Sequence, residues 1–399
     1  MPRTPGSLPA PEKTALHVGY IRLSDSAPLI AAQELGLYEK YGLSVDLHRE
    51  VSWANLRDKV AVGSLDAAQM LSPLPLATTI GCGGLRANMI TGLVLSLNGN
   101  GITVSTELAD RLLAYGGAPG SAEDTAVALG RYIAASTAKP LVFAAAHSFS
   151  CHIFQLRLWL RAGGVDPDRD VRIIVLPPEQ MVDSLARGII DGYCVGEPWN
   201  TAAVQRGIGT MLTSGYDVWN NLAEKVLGVT AQWHQEHPAT HLRLRLALME
   251  ACAWLAEPDH REDAARFLSE PQYLDLPHRE LIPSLSGQIQ YQKDGSAIAS
   301  PDFHVFGRYL SGFPWRATAR ELLAMSLELL GRNASDEELA AIAQQTYRTD
   351  LYRQAARHLE IPLPATDERP PAVHAQPWQL APGIEMGADL RIGTANKPI

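Results

Sequence analysis

Apolar residues recur along this chain in two alternating rhythms. Short runs such as HVGYI (17–21), LSVDLHREV (43–51) and LDAAQML (65–71) have the length and β-branched or alternating character of strands. Between them lie stretches with apolar positions at helical spacing. SAPLIAAQELGLYEKYGL follows the first strand, and Gly36 or Gly42 can stop it. Ser52 stands at a helix N-cap before WANLRDKVAVG, with Gly63 as its C-cap. Ser72 and Pro73 open the next helix with a cap and a first-turn proline. LVLSLNGNGITVS (93–105) then predicts a strand, a Gly/Asn turn and a second extended piece.

A second set of the same units begins after a Gly-rich link, GGAPG (116–120). KPLVFAAA (139–146) reads as a strand and SCHIFQLRLWLRAGG (150–164) as an amphipathic helix ending in two glycines. VRIIVL (171–176), the Pro-started helix PPEQMVDSLARG and IDGYCVG (190–196) complete it. Strand–helix alternation of this kind predicts an α/β protein with a parallel sheet, here built twice. Beyond about residue 215 the pattern reads as mostly helical. The Pro-rich residues 1–13 are expected to form a flexible N-terminus. Residues 362–399, rich in Pro, Gly and polar residues, are expected to form an extended or disordered tail.

Composition narrows the function classes. In 399 residues, 34 Lys and Arg face 43 Asp and Glu, a formal net charge of -9, so a surface that coats nucleic acid is not expected. No run approaches the length of a transmembrane helix, and the first twenty residues hold no apolar stretch like that of a secretory signal. Cys82, Cys151, Cys194 and Cys252 are widely separated, which points away from a disulfide framework. A cytoplasmic location, without membrane insertion, is the expectation.

Ligands of open α/β sheets bind beyond the carboxyl ends of strands, where helix N-termini present unpaired N–H groups that suit an anion. Four segments place polar side chains at such corners: Trp53 after the second strand, Asn100 in the NGNG turn, His152 at the start of its helix, and Glu197, Trp199 and Asn200 after IDGYCVG. Each also has a structural reading, as a packing indole, a turn former or a helix cap. Glu197 would repel an anion and reads as an orienting group or an interdomain contact. His234, His237 and His241 approach a metal-ligand spacing, but Pro238 interrupts the helix that would align them, and no metal or other cofactor is expected. GGAPGSAEDT lacks the Lys-Ser/Thr of a phosphate-binding loop, and no nucleophile elbow occurs. The chain does not read as an enzyme.

At these same segments the sequence resembles a known family. HVGYIRLSDSAPLIAAQELGLYEKYGLSVDL is similar to the opening of the periplasmic-binding-protein-like receptors for nitrate, taurine and alkanesulfonate. REVSWANLRDKVAVGSLDAAQMLSPLPLA, LSLNGNGITVS, CVGEPWNTAAVQRGIG and GFPWRATARELL resemble its nitrate/bicarbonate-binding branch, of the NrtA and CmpA types, over residues 16 to 350. Within that branch, SWANLRD and NGNGITVS look most like the cytoplasmic nitrate/nitrite sensors of the NasS type. Such a sensor holds an RNA-binding antiterminator protein of the NasT type inactive until nitrate or nitrite binds.

The resemblance implies an α/β, type II periplasmic-binding-protein-like fold with two lobes around a ligand cleft. Residues 14–104 and 214–361 would form the first lobe and 105–213 the second. It carries the ligand site onto Trp53, Asn100, His152 and Lys225, the last a lysine in AEKVLG that looks unremarkable by itself. Gly99, Gly196 and Glu197 would lie behind them. Nitrate is planar, anionic and an acceptor only, so indole N–H, amide, imidazole and ammonium donors suit it. Bicarbonate would in addition need an acceptor for its own O–H. The competing role is the substrate-binding component of a nitrate, bicarbonate or sulfonate ABC importer.

Overall fold

The computed structural model describes residues 8–137, 139–370 and 373–393. Its strands, in chain order, are β1 (Ala15–Ile21), β2 (Ser44–Glu50), β3 (Ala67–Leu71), β4 (Met89–Asn98), β5 (Asn100–Ser105), β6 (Val142–Ala145), β7 (Arg172–Val175), β8 (Gly192–Gly196), β9 (Gly209–Ser214) and β10 (Ala223–Thr230). Three short pieces, β11 (Gln288–Ile289), β12 (Ile298–Ala299) and β13 (His304–Val305), follow, and β14 (Trp378–Ala381) and β15 (Ile384–Met386) form a hairpin near the C-terminus.

Two sheets organise the molecule into two lobes. The first runs β13-β4-β10-β3-β1-β2 and the second β7-β6-β8-β5-β9. β1 pairs parallel with β2 and β3, and β6 parallel with β7 and β8, as strand–helix alternation dictates. Both sheets are nevertheless mixed. β10 enters the first sheet antiparallel to β3 and β4, and β5 lies antiparallel to β8 and β9 in the second. β3 and β4 are buried along their whole length, which is why they read as continuous apolar runs.

The expectation of helix beyond residue 215 misses β10. AEKVLGVT is a strand in the middle of the first sheet, flanked on both sides, and its Glu-Lys pair disguised it. The chain passes between lobes twice. It leaves the first sheet at Asn98–Asn100, ahead of the switch expected after residue 104, because β5 already pairs in the second sheet. It returns between Ser214 and Ala223. The two passages close on each other: Ala223 pairs with Leu97, and the Asn98 amide donates to the Leu222 carbonyl at 3.0 Å.

Both ends of the chain are more engaged than their composition suggests. Residues 1–7 lie outside the described residues, but 8–13 are tied down. Glu12 accepts from the amides of Ala239 and Thr240, capping the helix Pro238–Ala256, and Arg243 donates to the carbonyl of Pro9 at 3.0 Å. At the other end Ile384 and Met386 are buried. The Asn221 amide side chain donates to the Ala388 carbonyl, the Leu390 amide to Asn220, and the Ile392 amide to the Val218 carbonyl. The C-terminal segment therefore lies along the returning passage. Among the described residues, no helix is long and apolar enough to cross a membrane.

Candidate functional site

The polar corners converge where the two lobes meet. From the first lobe, β1 ends in a short turn, Ser24–Ser26, that carries Asp25. Ser52 caps the helix Trp53–Ala61 by accepting from the Asn55 amide, which fixes Trp53 at the helix start. β10 contributes Glu224 and Lys225. From the second lobe come Asn100, first residue of β5, and His152 and Gln155, three apart on one face of the helix Cys151–Ala162 capped by Ser150. Asp25, Asn100, His152, Gln155, Glu224 and Lys225 are wholly inaccessible to solvent, and Trp53 is 1% exposed.

Neighbouring strand residues normally face opposite sides of a sheet, yet Glu224 and Lys225 both reach this site. The β10–β4 ladder explains it. Its register shifts between Ala223 and Lys225 and again between Lys225 and Val226, so the alternation is broken at the point where it matters.

Lys225 is the centre of the arrangement. Its Nζ lies 2.7 Å from Asp25 Oδ2 and 2.7 Å from Glu224 Oε1, and 5.4 Å from the Trp53 ring centroid. Glu224 in turn joins the lobes. Asn100 donates to its Oε2 at 2.7 Å, and His152 Nε2 lies 3.2 Å from its Oε1. Asn100 also donates to Gln155 at 2.8 Å, and Gln69 to Asp25 at 2.6 Å. The three donors carried over as anion ligands, Asn100, His152 and Lys225, thus all gather around one carboxylate. Trp53 Nε1, His152 Nδ1 and Asn100 Oδ1 are buried without a hydrogen-bond partner in the protein, a costly condition for buried polar groups.

The electrostatics divide the two carboxylates. Burial alone would raise the Glu224 carboxyl, but the Lys225 ammonium and the His152 ring outweigh it and carry it down to about 2. For Asp25 burial wins over Lys225, and its carboxyl is pushed up. Burial works against the Lys225 ammonium, yet Asp25 and Glu224 overcome it and raise the group to about 12. A lysine held firmly cationic, a carboxylate held well below its ordinary range and a second carboxylate raised above it share one buried site.

The sequence-derived residues lie together at the lobe junction. Gly99, at φ +91, has no room for a side chain, because a Cβ there would overlap the His304 ring. A Cβ on Gly196 would lie 3.4 Å from Asn100 Oδ1 and 3.5 Å from Asp25 Oδ2, so its bare backbone lets these groups approach. Glu197 does not face Lys225. Its side chain accepts from the Thr201 amide at 3.1 Å, at the start of the helix Trp199–Gln205, and burial pushes its carboxyl up to about 7. Its carbonyl accepts from the Ser24 amide at 2.7 Å, an interlobe contact. Trp199 donates across the lobes to the Arg22 carbonyl, and Asn200 to the Val195 carbonyl within its own lobe.

Sequence reasoning passed over Asp25, Gln69, Gln155 and Glu224. Signals existed: Asp25 occupies a strand-to-helix corner, Gln155 lies one helical turn from His152, and Gln69 is the lone polar residue of AAQML. Two carboxylates, Asp25 and Glu224, stand among the donors that the resemblance assigns to an anion. The histidine trio near residue 240 separates: His234 and His241 approach each other at 3.1 Å, while His237 turns to the Trp233 carbonyl. Cys151 sits 3.4 Å from Ser72 Oγ, and burial drives its thiol far above the ordinary range, which makes it a poor nucleophile.

Comparison with known proteins adds the following. Residues 9–269 match the model of the NMT1-like family. The chain is 30% identical over 372 residues to the nitrate/nitrite binding protein NrtA of Synechococcus elongatus, covering 90% of this chain and 82% of that one. It is 31% identical over 366 residues to the bicarbonate-binding protein CmpA of the same organism, covering 88% and 80%. The nitrate import ATP-binding protein NrtC of Synechocystis is 36% identical over 353 residues, 88% of this chain, but the match spans only 51% of NrtC, so this chain corresponds to about half of that protein. The crystal structure of the periplasmic nitrate-binding protein NrtA from Synechocystis superposes with a TM-score of 0.83 at 28% identity, covering 90% of this chain and 94% of that one. The fold is thus a mixed α/β, periplasmic-binding-protein-like one, and these relatives are ligand-binding or transport proteins by name.

Proposed function

This chain belongs to the NMT1-like family, in its NrtA/CmpA-like substrate-binding branch, and on that premise we propose that it is a two-lobed receptor that closes over nitrate or nitrite. The observation that carries the reading is a fully buried lysine, Lys225, at the lobe junction beside Trp53, Asn100 and His152. An ammonium has three hydrogens and two carboxylates claim two of them, which leaves one for an anion. The indole N–H of Trp53, buried without a partner, is a second free donor. Closure is driven by bonds made only when Asn100 and His152 of one lobe meet a ligand held by Trp53 and Lys225 of the other.

The test is thermal. Sodium nitrate and sodium nitrite, each at about 100 times its Kd, are expected to stabilise the chain by about 2.7 kcal/mol, against a sodium chloride control. If neither salt moves the melting curve beyond that control, the nitrate reading fails. Bicarbonate is the second reading, and a specific observation favours it. Asp25 and Glu224 supply acceptors for the O–H that bicarbonate has and nitrate lacks. A larger shift with bicarbonate than with nitrate would transfer the assignment.

Two roles fit such a receptor. The similarity of SWANLRD and NGNGITVS to NasS-type sensors supports ligand-controlled release of a NasT-type antiterminator in nitrate assimilation. The names of NrtC, NrtA and CmpA support a component of an ABC importer equally well. Nitrate-dependent dissociation of a NasT-type protein from the immobilised chain supports sensing. Nitrate-dependent stimulation of a permease-bound ATPase, with no effect on such a partner, supports import.

A further inference from the structure

Outside the cleft, one group of metal-ligating side chains stands together among the described residues: His17 of β1 with Asp46 and His48 of β2. It lies on the edge of the first sheet, since β2 is the outermost strand. Parallel pairing sets His17 opposite Asp46 and Gly19 opposite His48. Asp46 and His48 are two apart, so they share a face, and parallel pairing brings His17 to the same side. The result is a compact triangle. His17 Nδ1 and His48 Nε2 are 2.8 Å apart, His48 Nε2 is 3.1 Å from Asp46 Oδ2, and His17 Nδ1 is 3.6 Å from the same oxygen.

We propose that His17, Asp46 and His48 form a surface site for a divalent transition-metal ion, zinc(II) first among them. With metal–ligand bonds of about 2.0–2.2 Å, a tetrahedral ion holds its ligand atoms about 3.3–3.6 Å apart. The His17–Asp46 distance already has that size, while the His48–Asp46 distance falls short by about 0.2 Å and the two nitrogens by about half an ångström. Two imidazole nitrogens and one carboxylate oxygen suit zinc, nickel or copper over magnesium or calcium, which prefer oxygen alone. Each imidazole binds in its neutral form with the proton on the ring nitrogen facing away from the ion. The three side chains are solvent-exposed to 52%, 67% and 36%, so water completes the coordination. The ion would cross-link β1 to the edge strand β2. The competing structural reading is a hydrogen bond between the two rings, with Asp46 as a bystander.

The full chain, dialysed against chelator, would be titrated with zinc chloride by calorimetry, and with cobalt(II) to read coordination from its visible absorption. One equivalent of zinc is expected, with a rise in melting temperature. Asp46→Asn and His48→Ala are each expected to weaken it at least ten-fold, since even outer-sphere partners of metal ligands matter by about that much. Without zinc these variants should melt as the parent does and keep its response to nitrate. Absence of zinc binding overturns the proposal, and so does an equivalent that survives in a His17→Ala/His48→Ala double variant.

Discussion

The two halves of the cleft are built from different chemistry. The first lobe supplies the acid and base groups, Asp25, Glu224 and Lys225, with the Trp53 ring beside them. The second supplies amides and an imidazole: Asn100, Gln155 and His152. Parting the lobes would leave Lys225 with both of its carboxylates and would break the bonds that cross the junction, among them Asn100 to Glu224, the Ser24 amide to the Glu197 carbonyl, and Trp199 to the Arg22 carbonyl. A buried ion that loses its partner is severely penalised, whereas a hydrogen bond exchanged for one with water costs little. In a receptor that opens and closes as proposed, the ion pairs of the first lobe would persist in both states, and the bonds to the second lobe would be made only on closure.

The strongest way to break that asymmetry is Lys225→Ala. It strands two buried carboxylates in the first lobe and is expected to cost about 3–5 kcal/mol in chemical denaturation, with loss of the nitrate-induced shift. A fully stable Lys225→Ala chain that still responds to nitrate would remove the lysine from the site.

Acid is the next probe. Glu224 titrates at about 2 in the folded chain against 4.5 for the free group. A depressed carboxylate contributes stability in full above its free value, so this share is lost as pH falls from 4.5 toward 2. It amounts to on the order of a few kcal/mol. Asp25, raised in the folded state, runs with the opposite sign and offsets part of it. Glu224→Gln is expected to flatten the acid limb of the stability profile. An unchanged limb would show that other carboxylates carry it.

Gly99→Ala tests the joint between the halves. A left-handed φ of +91 and the His304 ring both resist a side chain, and a loss of about 1–3 kcal/mol is expected by urea denaturation. Asn100→Ala addresses the second lobe alone and should be the gentlest. It should weaken nitrate binding by about ten-fold in calorimetry, the worth of one good hydrogen bond, with the ion pairs of the first lobe intact. Equal losses of fold stability from Asn100→Ala and Lys225→Ala would erase the distinction between the lobes.

Much of this was legible in the chain, and the failures share a cause. Trp53, Asn100 and His152 could be found because strand-to-helix corners are local features, written in caps and turns within a few residues. Lys225 could be carried over only by resemblance. Its strand is recognisable once β3 and β4 flank it, and the ladder irregularity that turns Glu224 inward leaves no mark on the sequence. Glu12, a surface-looking acid in a Pro-rich stretch, caps a helix more than 200 residues away. The C-terminal segment buries only isolated apolar residues such as Ile384 and Met386, too few and too scattered to announce a packed element. Local chemistry was readable, and long-range partners were not.

One more consequence follows from the way the two passages between the lobes close on each other. Leu97 and Ala223 are partners across one ladder, although 125 residues separate them in the chain. To the first sheet, the entire second lobe is topologically a long hairpin loop. Loop-closure entropy grows only slowly with length, so β4 and β10 lose little by carrying a domain between them instead of a turn. Pairing in the first sheet is thus continuous across the splice, and the second lobe is an insertion carried between two neighbouring strands.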